Sequence, residues 1–177
     1  MAEWHEVVNA YAANEPSRPF SVRGMTAAQK QVLVARELGL GPEGQTRFIL
    51  DFEGRSFRAS WGLVTKLAQY ANHAAYSGWI EQSVKAPLEV WEHTNPRSTD
   101  VRPRRYYFAA YIGPSGATTH LVIAAFGNVL LNGFRIENAS TADNDRFGKL
   151  LYVGYNPIYS PLPMAKGAPF PVAPLPI

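Results

Sequence analysis

Arg105-Tyr-Tyr-Phe-Ala-Ala-Tyr-Ile112, Ala117-Thr-Thr-His-Leu-Val-Ile-Ala-Ala-Phe126 and Val129-Leu-Leu-Asn-Gly-Phe-Arg-Ile136 are three β-rich runs in close succession. Gly113-Pro-Ser-Gly116 separates the first two and Gly127-Asn128 the last two, both suited to tight turns between antiparallel strands. Together they read as a meander. Lys149-Leu-Leu-Tyr-Val153 reads as a fourth strand, and the polar segment 137 to 147 before it has room for a short helix.

Upstream the periods change. Thr26-Ala-Ala-Gln29 has the spacing of a capping box, and Val32, Leu33, Val34 and Leu38 follow up to Gly39, so a helix is predicted over 26 to 38. Arg47-Phe-Ile-Leu-Asp-Phe and Arg55-Ser-Phe-Arg-Ala flank Glu53-Gly54 and predict a hairpin. From Ser60 to Tyr76, Trp61, Val64, Leu67, Ala68, Ala71 and Ala75 recur at helical spacing. Lys66, Gln69 and His73 fall on the opposite side, so His73 is expected to face water or a ligand. A further helix is predicted from Ser77 to Val84, stopped by Pro87, and residues 92 to 104 read as a polar loop. Residues 1 to 24 show no sustained period beyond a short helix from Trp4 to Tyr11. The segment from 155 to 177 holds seven of the fourteen prolines and reads as an extended tail. The expected architecture is α+β: N-terminal helices packed on one face of a four-stranded antiparallel meander, with a Pro-rich C-terminal tail. Its expected divisions are 1–59, 60–154 and 155–177.

With 177 residues, 46% hydrophobic and 18% charged, the chain has about the size and composition of one domain. Unbroken apolar stretches such as Leu121 to Phe126 are far short of the roughly 20 residues that cross a bilayer as a helix, and the opening residues do not resemble a secretory signal. The chain therefore reads as soluble, with no membrane partner. It has no cysteine, which excludes disulfides, thiolate metal sites and thiol nucleophiles. Net charge is +3, and residues 97 to 155 carry all of the excess, with seven basic side chains against four acidic ones. Arginine outnumbers lysine twelve to five, and its fork suits bidentate phosphate contacts.

No phosphate-cradling glycine loop, His-Glu-x-x-His or Gly-x-Ser-x-Gly elbow occurs, and no local spacing suggests a metal, so neither metal nor cofactor is expected. Arginine, histidine, threonine and tyrosine instead gather on or beside the predicted sheet. Such residues suit metal-independent cleavage of a phosphodiester. A histidine takes the proton of the ribose 2′-hydroxyl, an acid protonates the leaving 5′-oxygen, and an arginine stabilises charge on the phosphate. His120 and His73 are the proton carriers favoured by this chemistry. Arg102, Arg104, Tyr107, Arg135 and Lys149 are candidates for holding the RNA. Each has a plainer role available: Arg105 and Arg146 as ion-pair partners of Glu92, Asp143 or Asp145, and Trp79, Trp91, Tyr107 and Phe134 as core.

Trp79-Ile80, Ala86-Pro-Leu-Glu-Val-Trp91, Arg105-Tyr-Tyr, Leu121-Val-Ile, Asn132-Gly-Phe134 and Asp145-Arg-Phe-Gly-Lys-Leu-Leu-Tyr152, in that order, resemble the phage-encoded nuclease domains of the barnase, EndoU, colicin and RelE-like fold. The resemblance covers well under half of the chain. It implies helices followed by a four-stranded antiparallel sheet and RNA cleavage without metal, leaving a 2′,3′-cyclic phosphate. It further implies a toxin-type or host-takeover role in a bacterial cytoplasm, or packaging in a phage particle. Matching motifs carry over to Glu89, Arg105, Arg146 and Tyr152. Of these, Arg105 and Arg146 would hold the scissile phosphate, Tyr152 would orient it or a base, and Glu89 would steer a histidine or simply close the turn before Trp91. Implied partners are RNA, such as tRNA, and a cognate inhibitor or particle protein. The rival reading is a non-catalytic phage structural or host-inhibiting module that binds another protein. An ADP-ribosyltransferase ranks last, for want of a Ser-Thr-Ser strand or a Glu-x-Glu pair.

Overall fold

Tyr106, Phe108 and Ala110 belong to one buried cluster and Tyr107, Ala109 and Tyr111 to another, so the central strand is covered on both faces. Strands buried on two sides read as nearly continuous apolar runs, which is the pattern of Arg105 to Ile112. The computed structural model describes residues 8–94, 99–136 and 146–154. Its strands are β1 (Ala13–Asn14), β2 (Arg47–Leu50), β3 (Ser56–Ala59), β4 (Glu89–His93), β5 (Arg104–Ile112), β6 (Thr118–Phe126), β7 (Val129–Ile136) and β8 (Lys149–Val153). The helices are α1 (Ala27–Glu37), α2 (Trp61–Ala68), α3 (Ala71–Ala74) and α4 (Ile80–Lys85), with a 3₁₀ turn over Ser77–Trp79 leading into α4.

All strands form one mixed sheet in the order β2-β3-β7-β6-β5-β4-β8, with β1 alongside the end of β5. This overturns the four-stranded antiparallel meander and, with it, the barnase/RelE-like arrangement. The protein is α+β, but β5, β6 and β7 are the middle of a much larger sheet. The predicted fourth strand, β8, does not follow β7 in space; it lies two strands beyond β5, antiparallel to β4. The loop predicted from residue 92 begins with the last two residues of β4. The hairpin of β2 and β3 is hydrogen-bonded into the sheet through a parallel pairing of Arg58 with Val129. β1 pairs in parallel with Tyr111 and Ile112, beyond the point where β4 has ended.

One face of the sheet carries the helices. Thr26 caps α1: its hydroxyl accepts from the Gln29 amide at 3.2 Å, and the Gln29 side chain accepts the Thr26 amide at 2.8 Å, the reciprocal box expected from the spacing. Leu33 and Val34 of α1, Leu63, Val64 and Leu67 of α2, and Trp79, Ile80 and Val84 then cover Tyr107, Leu121, Ile123 and Leu130. Gly133 permits this closeness, since a Cβ there would stand 2.9 Å from Ile123 and 3.0 Å from Ile80. The single helix predicted over 60 to 76 is interrupted at Tyr70, whose backbone is extended. The break lets α3 pack separately against β7, which pairs with β3 through Val129. The other face has its own cluster of Leu88, Trp91, Tyr106, Phe108, Val122, Ala124 and Ile136, joined by Val8. The predicted helix at 137 to 147 falls mostly outside the described residues, as do the Pro-rich tail and most of the N-terminal helix. Among the described residues no helix is long and apolar enough to cross a membrane.

Candidate functional site

Arg104 and Arg105 enter β5 side by side and, because side chains alternate along a strand, leave on opposite faces. Arg105 shares the helix-bearing face with Tyr107 and meets the turn between β2 and β3. Its Nη1 donates to Glu53 at 3.1 Å and its Nε approaches Glu92 of β4 at 3.4 Å. Burial works against the Arg105 charge, but hydrogen bonds with Glu53 and Tyr107 outweigh it and raise the guanidinium's pKa above its usual value. The turn itself is rooted by Asp51, which accepts the amides of Glu53 and Arg55 and the Tyr107 hydroxyl, the last at 2.8 Å. Burial, reinforced by that carboxylate, pushes the Tyr107 phenol far upward, so it stays protonated and donates.

Around Arg105 lies a cleft of about 280 Å³ lined by Arg55, Glu92, Arg102, Arg105, Phe126 and Gly127, among others. Arg102 is clamped by Asp100 through its backbone amide, Nε and Nη2, and its guanidinium carbon sits 4.4 Å from the Phe126 ring centre. The Arg102 contacts hold the Asp100 carboxyl at about 2. Arg104, paired with Phe126 across β5 and β6, stands 6.0 Å from the same ring. Lys149 of β8 is exposed and in register with Glu92. Of the predicted residues, Arg102, Arg104 and Arg105 therefore gather at one end of the sheet, with Lys149 two strands away.

Glu89 and Arg146 are also brought together, but inside the protein. Arg146 Nε donates to Glu89 Oε2 at 2.8 Å and Nη2 to Oε1 at 3.0 Å, while Trp91 Nε1 donates to the same Oε2 at 2.8 Å. The Glu89 side chain is 0% exposed and that of Arg146 4%. Gly148, with φ +83°, lets the segment after Arg146 lie directly on the backbone of Glu92 and His93. Both carboxylate oxygens of Glu89 thus face protein donors, on the face opposite Arg105.

Of the histidines, His93 is level with Arg104 at this end of the sheet but is buried on the face opposite Arg105, its ring stacked on Tyr106 at 4.2 Å; His120 and His73 lie elsewhere. His120 is on β6 level with Ala110, five residues along the strand from the position opposite Arg105, or about 17 Å away. Its Nε2 meets Asn9 Oδ1 at 2.9 Å. His73 does not simply face water: it is half-buried on α3, stacked at 5.3 Å on Phe134 and 4.9 Å from Tyr70. Burial lowers its pKa; Asn132 works against that and Lys66 adds to it. His73 Nδ1 and Asn132 Oδ1 are both buried and make no hydrogen bond of good geometry. Arg135 is exposed on β7 level with Leu121, toward the His120 end. Tyr107 is core, and Tyr152 is half-buried with its ring 4.2 Å from Phe52. The pairing of Arg105 with Glu92 was among the plainer roles weighed from the sequence. Asp51, Glu53 and Arg55 were missed, because nothing local signals that a turn 50 residues upstream folds over the start of β5.

Among the described residues no group of three histidine, aspartate or glutamate side chains could hold a metal. No family model, curated protein or solved structure matches the chain. The likeness to the phage nuclease domains thus rests on the sequence motifs alone.

Proposed function

We propose that the protein is an RNA-binding module that grips phosphates at the arginine cleft and does not itself cleave the strand. The observation that carries this reading is the convergence of Arg55, Arg102 and Arg105 on one cleft, with Arg104 beside it. Guanidinium groups at the start of β5 supply fixed cations with the geometry for phosphate oxygens. Cleavage would need an imidazole within hydrogen-bond reach of the same phosphate. His120 is about 17 Å along the sheet from that cleft, and Arg146 is turned to the opposite face and bound to Glu89. RNA is the polyanion implied by the nuclease resemblance.

The test is fluorescence anisotropy with a short labelled single-stranded RNA in EDTA, run alongside a denaturing gel. Binding that weakens steeply between about 50 and 200 mM salt, with the RNA left intact, is the expected result. Shortening of the RNA that disappears in His120→Ala or His73→Ala would restore the cleavage reading, and absence of binding at low salt would remove the RNA reading.

A further inference from the structure

Arg105 is the best-placed cation in the cleft, held by β5 and 14% exposed, yet two carboxylates already satisfy it. The two differ in how firmly they are fixed. Glu92 belongs to β4, between β5 and β8, and is in register with Arg105 on one side and Lys149 on the other. Glu53 sits at the tip of the turn between β2 and β3, and its side chain is 50% exposed. The root of that turn does not depend on Glu53. Asp51 holds the Glu53 and Arg55 amides, the Phe52 amide donates to the Val84 carbonyl at 3.0 Å, and the Phe52 ring packs on Tyr107 and Tyr152. A rotation of the Glu53 side chain about its own bonds is therefore enough to release Arg105 Nη1, with no movement of the backbone.

We propose that Glu53 is a built-in competitor for the phosphate ligand: its carboxylate occupies Arg105 in the free protein and gives way to a phosphate oxygen when the cleft fills. This inference rests on the reading of the cleft as a phosphate-binding site. It adds a selection step. A single weakly held anion does not displace a tethered carboxylate, whereas a polyphosphate chain that already engages Arg55 and Arg102 presents its next phosphate to Arg105 at high local concentration. The occupant is thus a chain of phosphates, not a solitary one.

The test compares Glu53→Gln with Glu43→Gln, a substitution of an exposed acidic residue that takes no part in the cleft. Each is titrated with the labelled RNA and, separately, with inorganic tripolyphosphate. Glu53→Gln should tighten binding about twofold to fivefold beyond the Glu43→Gln control, the range in which exposed ion pairs contribute. The gain should vanish when Arg105→Gln is added, since no cation then remains for Glu53 to occupy. Equal affinities for the two glutamine variants, or a gain that survives Arg105→Gln, would overturn the competitor role. Binding of tripolyphosphate without RNA would refute the RNA reading while leaving the competitor test intact on the inorganic probe. Binding of neither would overturn both.

Discussion

Arg146 and Glu89, 57 residues apart in the sequence, form a two-bond ion pair inside the protein, closed on its remaining side by the indole N–H of Trp91. The Arg146 guanidinium also lies 5.7 Å from the Trp91 ring centre. A carboxylate placed in the middle of a sheet is costly unless donors replace the water it has lost. Here three N–H donors do so, and the pair ties the segment entering β8 to β4.

Breaking this pair from one side leaves a buried charge without its counterpart. Glu89→Gln or Arg146→Met should each cost about 3–5 kcal/mol, lowering the melting temperature by roughly 10 °C. The joint Glu89→Leu, Arg146→Met variant should recover most of the loss, because it removes both charges together. Urea denaturation of the three variants measures this, and a single variant as stable as the parent would contradict it.

Removing cations from the cleft should weaken RNA binding uniformly across sequences, as expected for phosphate contacts. Arg55→Ala and Arg102→Ala should each reduce the slope of log affinity against log salt by about 1. Arg135→Ala, at the far end of the sheet, should leave the slope unchanged. Anisotropy titrations at several salt concentrations distinguish the three.

His73 links stability to pH. Its folded-state pKa is depressed by burial, so the unfolded chain binds the proton more readily. The stability tied to the neutral ring is present above about 6.5, the ordinary imidazole value, and is lost as pH falls toward the folded value. Lys66 adds to the depression and Asn132 opposes it; the rings of Tyr70 and Phe134 flank the imidazole. Urea midpoints measured from pH 7.5 down to 5 should fall for the parent and flatten in His73→Asn. Parallel profiles would rule this out.

Glu81 joins β2 to α4, accepting Arg47 at 2.7 and 3.1 Å and Lys85 at 2.7 Å. Its burial raises the carboxyl's pKa, but the bonds and charges of Lys85 and Arg47 overcome this, and the net shift is downward. The stabilisation it supplies is complete above the ordinary carboxylate value and disappears as pH drops through the lowered one. Glu81→Gln should cost about 1 kcal/mol at neutral pH and nothing in strong acid, read from denaturation curves at the two pH values.

Much of the local structure was legible in the sequence. Thr26 and Gln29 mark the start of α1, Glu53-Gly54 marks a hairpin, and Gly113 to Gly116 and Gly127-Asn128 mark the turns of β5, β6 and β7, because caps and turns are decided by residues within a few positions of one another. β4 was harder to read. Glu89-Val-Trp-Glu-His93 places charges on both sides of a strand, which looks like a solvated turn until the partners of those charges are known.

Local residue order thus settles the list of elements whose ends and periods are written within a few positions, together with the excess of arginine at the start of β5. Long-range packing, by contrast, puts β8 against β4, joins the β2–β3 hairpin to the same sheet, and turns Arg105 and Arg146 opposite ways. Each of those outcomes depends on contacts between residues some 50 or more positions apart. No local propensity distinguishes a glutamate destined for solvent from one that a distant arginine will draw into the core.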